Sequence, residues 1–481
     1  MSDNKVFGLF SEFFNQKYGK SLVVKGKPGS GKTTFALEFT GMVYKENPVH
    51  YLSSRFSDDP LKEVFGFIDE VSYRSNKDSI EFKEDFSKVT TDSLKKLELM
   101  IEEKRVNSSS SGLIFNIQEV IPEINAIYSF VEENAGTNPI IILDSIEALA
   151  QKYGIDEGIL FSVLQNDLVE HSGVGLVVIL ENTGNAQLEY YADGVMSLDY
   201  KIMNDYLVRT MRIEKFRGLP IGSNPTFLYS LKDGRFNVFP QPEFDYPKKI
   251  LKKPEIKQIK QYEVPLGNKE FTPLTGGKAD EVPLGTVVIL HRKNISEIMD
   301  NAVNLFKNNL IKQTISEGRG VIDVTSSSYE TSRMLVSVVE SDLLKHYITA
   351  ERTKRSNPYV INLEGKSMFA DFPNEVIDFF MSSSVRPNIY IFSTDFLSFT
   401  YGPNFIGELI NIINEIRITG IVVIVADNEY YEKLSHYSGL TIHFSEVSGS
   451  ILVSSGTNKL FVMNIEKDKE GWPIIKLTEI N

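Results

Sequence analysis

One stretch near the amino terminus constrains the fold more than any other part of the sequence. It reads Gly26-Lys27-Pro28-Gly29-Ser30-Gly31-Lys32-Thr33 and matches the pattern G-x-x-x-x-G-K-[ST]. Residues 21–25 before it are typical of a short buried strand, and residues 35–39 after it are typical of a helix. Glycines let the backbone close around phosphate groups, and a helix amino terminus adds a favourable dipole. The stretch therefore predicts a phosphate-binding loop for a nucleoside triphosphate.

The loop residues have distinct predicted roles in binding ATP and Mg²⁺. Lys32 is expected to reach the β- and γ-phosphates, and the Thr33 hydroxyl is expected to be a magnesium ligand. The predicted nucleotide contacts are Gly26, Lys27, Pro28, Gly29, Ser30, Gly31, Lys32, Thr33 and Thr34.

A second magnesium ligand is predicted at Asp144, which ends the apolar run 139–143. Such a run is typical of a parallel strand buried on both faces, and its terminal carboxylate would lie beside the phosphate loop. Taken alone, Asp144 could instead cap the helix that follows. Its combination with Lys32 favours magnesium binding, because a phosphate loop needs such a partner.

Composition narrows the range of other functions. At 481 residues the chain exceeds the size of a single core, so two domains are expected. The absence of cysteine excludes disulfides, thiolate zinc sites and thiol catalysis. A net charge of −13 makes general nucleic-acid or anionic-membrane binding unfavourable. No apolar run is long enough to span a bilayer and the first residues do not resemble a signal peptide, so we expect a cytoplasmic protein.

The order of the motifs in the first half resembles that of RecA-superfamily ATPases. After the loop and Asp144 comes a buried strand, 175–180, which ends at Glu181, and then the segments 191–198 and 209–218, of which the second contains Lys215-Phe216-Arg217-Gly218. The same order is similar to KaiC-like ATPases and their archaeal relatives, including RadA-type proteins. The resemblance implies an α/β RecA-like domain over 1–240, a mostly parallel sheet flanked by helices.

The same resemblance implies residues that act between subunits of a ring, possibly a hexamer. Lys215 and Arg217 would reach the γ-phosphate bound by the neighbouring protomer, where cations stabilise charge on the transferring group. Two solvated cations on a surface strand are the alternative interpretation.

One departure from KaiC-like proteins bears on catalysis. The pair of glutamates that polarises water in that family is replaced here by Ser53 and Ser54. Asp58, Asp59 or Glu181 could substitute, although none occupies the family's position. Loss of general-base assistance typically slows a reaction by about 10²–10⁴-fold, so we expect nucleotide binding with weak or slow ATP hydrolysis.

The second half is predicted to be a degenerate copy of the first. A linker rich in proline and lysine is expected at 241–280, followed by a RecA/KaiC-like domain at 281–481. Its apolar runs follow the order of the first half, and 463–467 echoes 211–215. Residues 291–297 stand where the phosphate loop should be but contain no glycine, Glu297 replaces Lys32, and Ser393 replaces Asp144. This domain should bind no nucleotide by the usual route, and no autokinase activity is expected.

Three hypotheses follow for function. The favoured one is a KaiC-like ATP-binding protein that serves as a nucleotide-dependent oligomeric scaffold or switch with a protein partner. The alternative is a RadA-like DNA-dependent ATPase, which the acidic or uncharged loops at 151–157 and 182–189 make unfavourable. The third is an archaeal transcriptional, gas-vesicle or motility regulator, which the sequence neither supports nor excludes.

Overall fold

The computed structural model describes residues 5–16, 18–43, 48–53, 73–74, 121–181, 186–203, 205–247, 262–276, 280–352, 359–457 and 459–480. The chain divides into two compact units, Met1–Pro240 and Gln241–Ile480. Each unit is built around its own large sheet. Within the described ranges, no helix is long and apolar enough to cross a membrane.

The first unit is a nine-stranded sheet in the order β3-β2-β4-β5-β1-β6-β7-β8-β9. Pairing is parallel from β3 to β6 and antiparallel from β6 to β9. Its strands are β1 (Ser21–Gly26), β2 (Val49–Ser53), β3 (Tyr73–Arg74), β4 (Ile140–Asp144), β5 (Gly175–Leu180), β6 (Gly194–Met203), β7 (Tyr206–Phe216), β8 (Thr226–Ser230) and β9 (Asn237–Phe239). Its helices are α1 (Lys5–Phe14), α2 (Lys32–Val43), α3 (Pro122–Glu133), α4 (Ile146–Tyr153), α5 (Glu157–Leu164), which continues as a π-helix (Gln165–His171), and α6 (Ala186–Tyr191).

Alternation along the central strands builds the two layers of this unit. In β4, Ile140 and Ile142 belong to the apolar cluster that also holds side chains of α1 and α2. Ile141 and Leu143 belong to the cluster that holds side chains of α3, α4 and α5. Because successive side chains of a strand point to opposite faces, a run of apolar residues is needed when helices cover both. The predicted buried strands at 21–25, 139–143 and 175–180 therefore lie at the centre of the sheet.

The second unit has a ten-stranded sheet in the order β15-β14-β13-β16-β17-β12-β18-β19-β20-β21, with a separate two-stranded sheet, β10-β11. The strands are β10 (Glu263–Pro265), β11 (Glu281–Pro283), β12 (Val287–Arg292), β13 (Arg319–Val324), β14 (Tyr347–Glu351), β15 (Val360–Asn362), β16 (Val385–Ser393), β17 (Gly420–Asp427), β18 (Leu440–Val447), β19 (Ser450–Ser454), β20 (Leu460–Lys467) and β21 (Pro473–Glu479). The helices are α7 (Thr272–Thr275), α8 (Glu297–Ser316), α9 (Ser328–Val338), α10 (Ser341–Leu344), α11 (Met368–Asp371), α12 (Asn374–Met381), α13 (Thr394–Tyr401), α14 (Phe405–Ile416) and α15 (Asn428–Leu434).

Both sheets are mostly parallel and flanked by helices, which confirms the predicted α/β class. Apart from the extra edge strand β15, the second sheet has the strand order of the first. Its apolar clusters also separate by face, since Val288 and Leu290 pack with α8 while Val287 and Ile289 pack with α14. One predicted correspondence differs. Residues 463–467, which resemble 211–215 in sequence, lie on β20, and β20 has the same position in its sheet as β8, whereas 211–215 lies on β7. A short sequence echo does not fix the position of a strand in the sheet.

The segment predicted to be a linker is partly folded. Residues 248–261 and 277–279 lie outside the described residues. The remainder includes β10 and α7, and it places Val264, Leu266, Phe271 and Leu274 in the core of the second unit. The description as an extended connector therefore does not fit residues 262–276, because their apolar side chains are buried although the surrounding composition is rich in proline and lysine.

Candidate nucleotide-binding site

The glycine-rich loop connects β1 to α2 in the conformation that its glycines permit. Gly29 and Gly31 have φ angles of +76° and +85°, in the left-handed region that favours glycine. A Cβ on Gly26 would lie 2.3 Å from the carbonyl oxygen of Leu198, on the paired strand β6. Among the described residues, no atom lies within 4 Å of a Cβ built on Gly29. The loop thus has a backbone conformation that depends on its glycines.

Lys32 and Thr33 begin α2 and face the loop and β4. The Lys32 ammonium donates to the carbonyl oxygens of Gly26 at 2.6 Å and Lys27 at 3.2 Å. The Thr33 hydroxyl donates to Asp144 Oδ2 at 2.5 Å. The two predicted magnesium ligands thus lie together at the carboxyl end of β4, although they are 111 residues apart in sequence.

Tyr51 is part of this cluster and was not predicted from the sequence. Its hydroxyl donates to Asp144 Oδ2 at 2.8 Å, from the strand that pairs with β4. Burial, reinforced by the Asp144 carboxylate, raises the pKa of Tyr51 well above its usual value, so the hydroxyl remains a donor. The signal was available in β2, because its residues Tyr51 and Ser53 share a face and Ser53 pairs with Asp144.

Side chains from β8 and the turn after it hold the loop and α2 in place. The Tyr229 hydroxyl donates to the Ser30 carbonyl oxygen at 2.5 Å. Arg235 donates through two nitrogens to the buried carboxylate of Glu38 on α2, at 2.5 and 2.8 Å. Bidentate pairs of this kind fix geometry as well as adding energy. The loop is therefore anchored from the antiparallel end of the sheet.

Glu181 lies at the same edge of the sheet as the phosphate loop. The register pairs Leu180 with Lys25 and Ile179 with Asp144, so Glu181 follows directly after the carboxyl end of β5. Its backbone N–H donates to Glu147 at 2.7 Å, and the Ser145 hydroxyl donates to its carboxylate at 3.4 Å. The position suits a carboxylate near the γ-phosphate. Asp58 and Asp59, the other carboxylates considered for this role, lie outside the described residues, as do Ser54 and residues 182–185.

Lys215 and Arg217 lie toward the opposite edge of the sheet. Lys215 pairs with Val195 on β6, and Val195 pairs with Val23 on β1, three residues before Gly26. At about 3.3 Å per residue the backbone of Lys215 lies on the order of 10 Å along the strand from the start of the loop. The structure therefore does not bring these two cations together with the other predicted site residues.

Both cations have partners within the first unit. The Lys215 ammonium donates to the carbonyl oxygens of Glu189, Tyr190 and Ala192, at the end of α6. Burial lowers its pKa, and nearby Arg217 adds to the effect. Arg217, whose side chain is 55% exposed, donates to Asp193 at 3.2 Å. The exposed guanidinium remains accessible to an external anion.

The second unit has a different connection at the equivalent place. β12 ends at Arg292, and α8 begins at Glu297 with Ser296 as its N-cap. Four residues join this strand to its helix, 293–296, whereas five residues, 27–31, join β1 to α2. Glu297 is the first residue of its helix, as Lys32 is in the first unit, and Ser393 ends β16 as Asp144 ends β4. This geometry places an anion where the phosphate loop has its lysine.

The residues of the first unit fit Mg²⁺ and a triphosphate. The buried Ser30 hydroxyl has no hydrogen-bond partner among the described residues, and it lies within the loop. Thr33 and Asp144 supply the oxygen ligands that magnesium prefers. In the ranges that the structure covers, no cluster of three or more His, Asp or Glu side chains forms a separate metal site.

Comparison with known proteins points to gas vesicle proteins. The family model described as the GvpD gas vesicle protein P-loop domain matches residues 10–215, and the model described as GvpD basic region 2 matches residues 294–481. GvpD1 of Halobacterium salinarum is 27% identical over 236 residues, which are 47% of this chain and 39% of that protein. GvpD2 of the same organism is 25% identical over 236 residues, 47% of this chain and 42% of that protein. The matched region spans about two fifths of the length of these relatives.

A solved KaiC-like protein from Pyrococcus horikoshii is 20% identical, with a TM-score of 0.31, and the match covers 46% of this chain and 90% of that one. Nothing among these matches supports the RadA-like alternative. A P-loop domain implies nucleotide binding, typically with Mg²⁺. The strand order, the loop geometry and the matching family model together identify the first unit as a P-loop ATPase-like domain with a mostly parallel sheet, similar to the P-loop domain of GvpD gas vesicle proteins.

Proposed function

We propose that the chain is an ATP-binding regulatory scaffold whose first unit holds ATP and Mg²⁺ and whose subunits assemble in response to that nucleotide. The observation that carries the proposal is the convergence of the glycine loop, Lys32, Thr33 and Asp144 at one edge of the sheet. Lys32 would contact the β- and γ-phosphates, while Thr33 and Asp144 would hold magnesium. The bound Mg²⁺ would neutralise part of the negative charge of the phosphates.

Slow hydrolysis follows from the residues beside the loop. Glu181 is a carboxylate that directly follows β5 at this edge of the sheet, and it would orient the attacking water. It would act without the glutamate pair of KaiC-like proteins, because Ser53 ends β2 at that place. A slow reaction suits a switch whose state persists while the γ-phosphate is present.

The position of Lys215 and Arg217 supports a role between subunits. Within one chain they lie toward the edge opposite the loop, and Arg217 is half exposed. A neighbouring subunit in a ring would therefore be the source of the phosphate that they contact. Similarity to GvpD gas vesicle proteins favours a process that involves gas vesicles. A protein partner of this chain would be sought there. Of the regulators named in the third hypothesis, the gas-vesicle regulator is therefore preferred.

The test is the oligomeric state of the full chain with and without ATP and Mg²⁺, measured by light scattering alongside ATP binding and turnover. We expect ATP to increase the mass, and Lys32→Ala to abolish that increase and weaken ATP binding by about ten- to a hundredfold. Lys366→Ala is the matched control, since that side chain is 82% exposed and lies in the second unit. ATP binding that survives Lys32→Ala unchanged would contradict the proposal.

Two further measurements separate the remaining alternatives. Arg217→Ala should lower turnover and assembly while leaving ATP affinity unchanged, because the guanidinium would act on a neighbour's phosphate. If Arg217→Ala and Asp193→Asn lowered the free energy of unfolding equally and changed neither turnover nor assembly, the Arg217–Asp193 pair would have only a structural role. Single-stranded DNA should not change turnover, and a strong stimulation would favour a DNA-dependent ATPase.

A further inference from the structure

A cavity of about 530 Å³ opens in the second unit at the carboxyl edge of its parallel strands. It lies between α8 and the ends of β12, β13 and β16, on the face that corresponds to α2 and Asp144 in the first unit. Ligand pockets commonly have volumes of about 300–1,000 Å³, and in open α/β sheets they lie outside the carboxyl ends of strands. Position and volume therefore identify this cavity as a candidate binding site.

The floor of the cavity holds buried polar atoms that lack partners. Arg292 Nε, Ser393 Oγ and Asp395 Oδ1 are all buried, and none has a hydrogen-bond partner in the part of the chain that the structure describes. Arg292 is 8% exposed and Ser393 3% exposed. Buried polar atoms without partners are unfavourable by roughly 1–3 kcal/mol each, so most are paired in folded proteins. Their convergence on one cavity indicates that a ligand satisfies them.

The charges around the cavity make a phosphate ligand unfavourable. Lys307 is 1% exposed, and its ammonium already donates to Asp323, Thr325 and Ser327, at 3.1, 2.8 and 2.7 Å. All three of its donors are thus used within the protein. The charge of Arg292 is balanced by two carboxylates, Asp300 at 2.7 Å and Asp395 at 4.0 Å, although its Nε–H has no partner among the described residues.

Two carboxylates of the lining have an oxygen atom that can still accept from a ligand. Asp395 Oδ2 accepts from the Ser326 hydroxyl and lies 4.0 Å from Arg292, while its buried Oδ1 has no partner among the described residues. Glu330 is exposed at the cavity and forms no ion pair among the residues described. Glu330 therefore adds negative charge that no described cation balances, and the Lys307 ammonium is fully paired, which is the reverse of a triphosphate site.

We propose that this cavity binds a small organic cation that carries an ammonium group among hydroxyl groups, of the amino-sugar class. The ammonium would pair with Asp395 and Glu330, and the hydroxyl groups would accept from Arg292 Nε and exchange hydrogen bonds with Ser393. Phe244 and Tyr246 form an aromatic wall, which suits both the carbon frame of such a molecule and its positive charge. The proposal does not depend on nucleotide binding in the first unit.

Binding of a matched series of sugars to the full chain tests the charge requirement. Glucosamine, glucose and glucose 6-phosphate share one ring and differ in being cationic, neutral and anionic. We expect saturable binding of glucosamine by ligand-observed NMR at mildly acidic pH, with glucose weaker by about tenfold and glucose 6-phosphate not binding in the second unit. Glucosamine binding no tighter than glucose binding would overturn the proposal. Tighter binding of glucose 6-phosphate than of glucosamine would also overturn it, when measured with Lys32→Ala, which weakens phosphate binding in the first unit.

Variants separate a ligand site from a structural network. Asp395→Asn should weaken glucosamine binding by about tenfold, and Asp342→Asn, at an exposed aspartate outside the cavity, should leave it unchanged. Ser393→Ala removes a hydroxyl that lacks a partner, so it should weaken binding without lowering stability. Unfolding followed by the fluorescence of Trp472, which is buried in this unit, checks the fold of each variant. If glucosamine bound equally well to the parent protein, Asp395→Asn and Ser393→Ala, this cavity would not be the glucosamine site.

Discussion

Asp144 is 6% exposed, and two hydroxyl groups donate to one of its carboxylate oxygens. Thr33 comes from the helix after the glycine loop, and Tyr51 comes from the neighbouring strand. The sequence predicted Thr33 from the loop motif, and it predicted Asp144 as the carboxylate that ends the apolar run 139–143. Tyr51 could not be predicted from that motif, because its contact depends on the pairing of β2 with β4.

Replacing Tyr51 with phenylalanine removes a hydroxyl that donates to Asp144, the predicted magnesium ligand. We expect a loss of about 1 kcal/mol in the free energy of unfolding and a magnesium requirement for ATP binding raised on the order of tenfold. The measurements are urea denaturation by circular dichroism and ATP titrations at a series of magnesium concentrations. Tyr128→Phe is the control, since its hydroxyl donates to Asp167 at 2.8 Å away from the loop. A magnesium requirement that changes equally in both variants would contradict the assignment.

A second prediction concerns His443 on β18, whose Nδ1 lies 2.8 Å from Nδ1 of His291. Only one ring can donate in this contact, and a doubly protonated pair would place two N–H groups against each other. Burial lowers the pKa of His443 to about 4, and Lys293 and His291 add to the effect. The unfolded state, with a pKa near 6.5, therefore binds more protons between these values, so stability is full above pH 6.5 and falls as pH drops toward 4.

The measurement is the urea midpoint of the Trp472 fluorescence transition over that pH range, because Trp472 is the single tryptophan of the chain. His443→Gln should flatten the pH dependence relative to the parent protein, and His436→Gln, at an exposed histidine, provides the comparison. Carboxylates also titrate in this range, so the difference between variants is the informative quantity. Identical slopes for His443→Gln and the parent would show that the contact is not the cause.

At the scale of elements, the sequence located the central strands correctly, but it did not give the position of every later strand or the extent of the second folded unit. Apolar runs that end in polar residues located β1, β4 and β5, since both faces of these strands are covered by helices. The echo at 463–467 was assigned to the wrong strand position, and residues 262–276 are folded where a linker was predicted. Local composition cannot reveal that Val264 and Phe271 contact a core formed by residues far along the chain.

The third prediction concerns Gly26, which pairs with Leu198 of β6 at the point where the phosphate loop begins. Gly26→Ala would place a methyl group 2.3 Å from a carbonyl oxygen of the sheet, which cannot move away without breaking that pairing. We expect a loss of about 1–3 kcal/mol in stability, together with loss of ATP binding. Gly8→Ala is the matched control, since no atom lies within 4 Å of a Cβ there and the residue is inside α1. It should leave ATP binding intact and be neutral or stabilising by about 0.5–1 kcal/mol.

At the scale of the whole molecule, each unit has the parts of an independent domain. The first unit has one sheet and two apolar clusters, built from α1 and α2 on one face and α3 to α5 on the other. The second unit has its own sheet and its own pair of clusters. The sequence predicted a first domain over 1–240 from the extent of the motifs and from the proline- and lysine-rich stretch that follows, and the compact units divide after Pro240. At the carboxyl ends of β1 and β12 the two units differ, since β1 ends at Gly26, which begins the glycine loop, and β12 ends at the buried Arg292.

Separate expression of residues 1–240 and 241–481 provides the last prediction. Because each unit closes its own sheet and core, we expect both fragments to fold, with cooperative unfolding by circular dichroism. Fragment 1–240 should bind ATP with magnesium, and at a free concentration 100 times its Kd the nucleotide should stabilise it by about 2.7 kcal/mol. Fragment 241–481 should show no stabilisation by ATP, because Glu297 opposes phosphate at the start of α8. A rise in the Trp472 unfolding midpoint of fragment 241–481 on addition of ATP would contradict this division of roles.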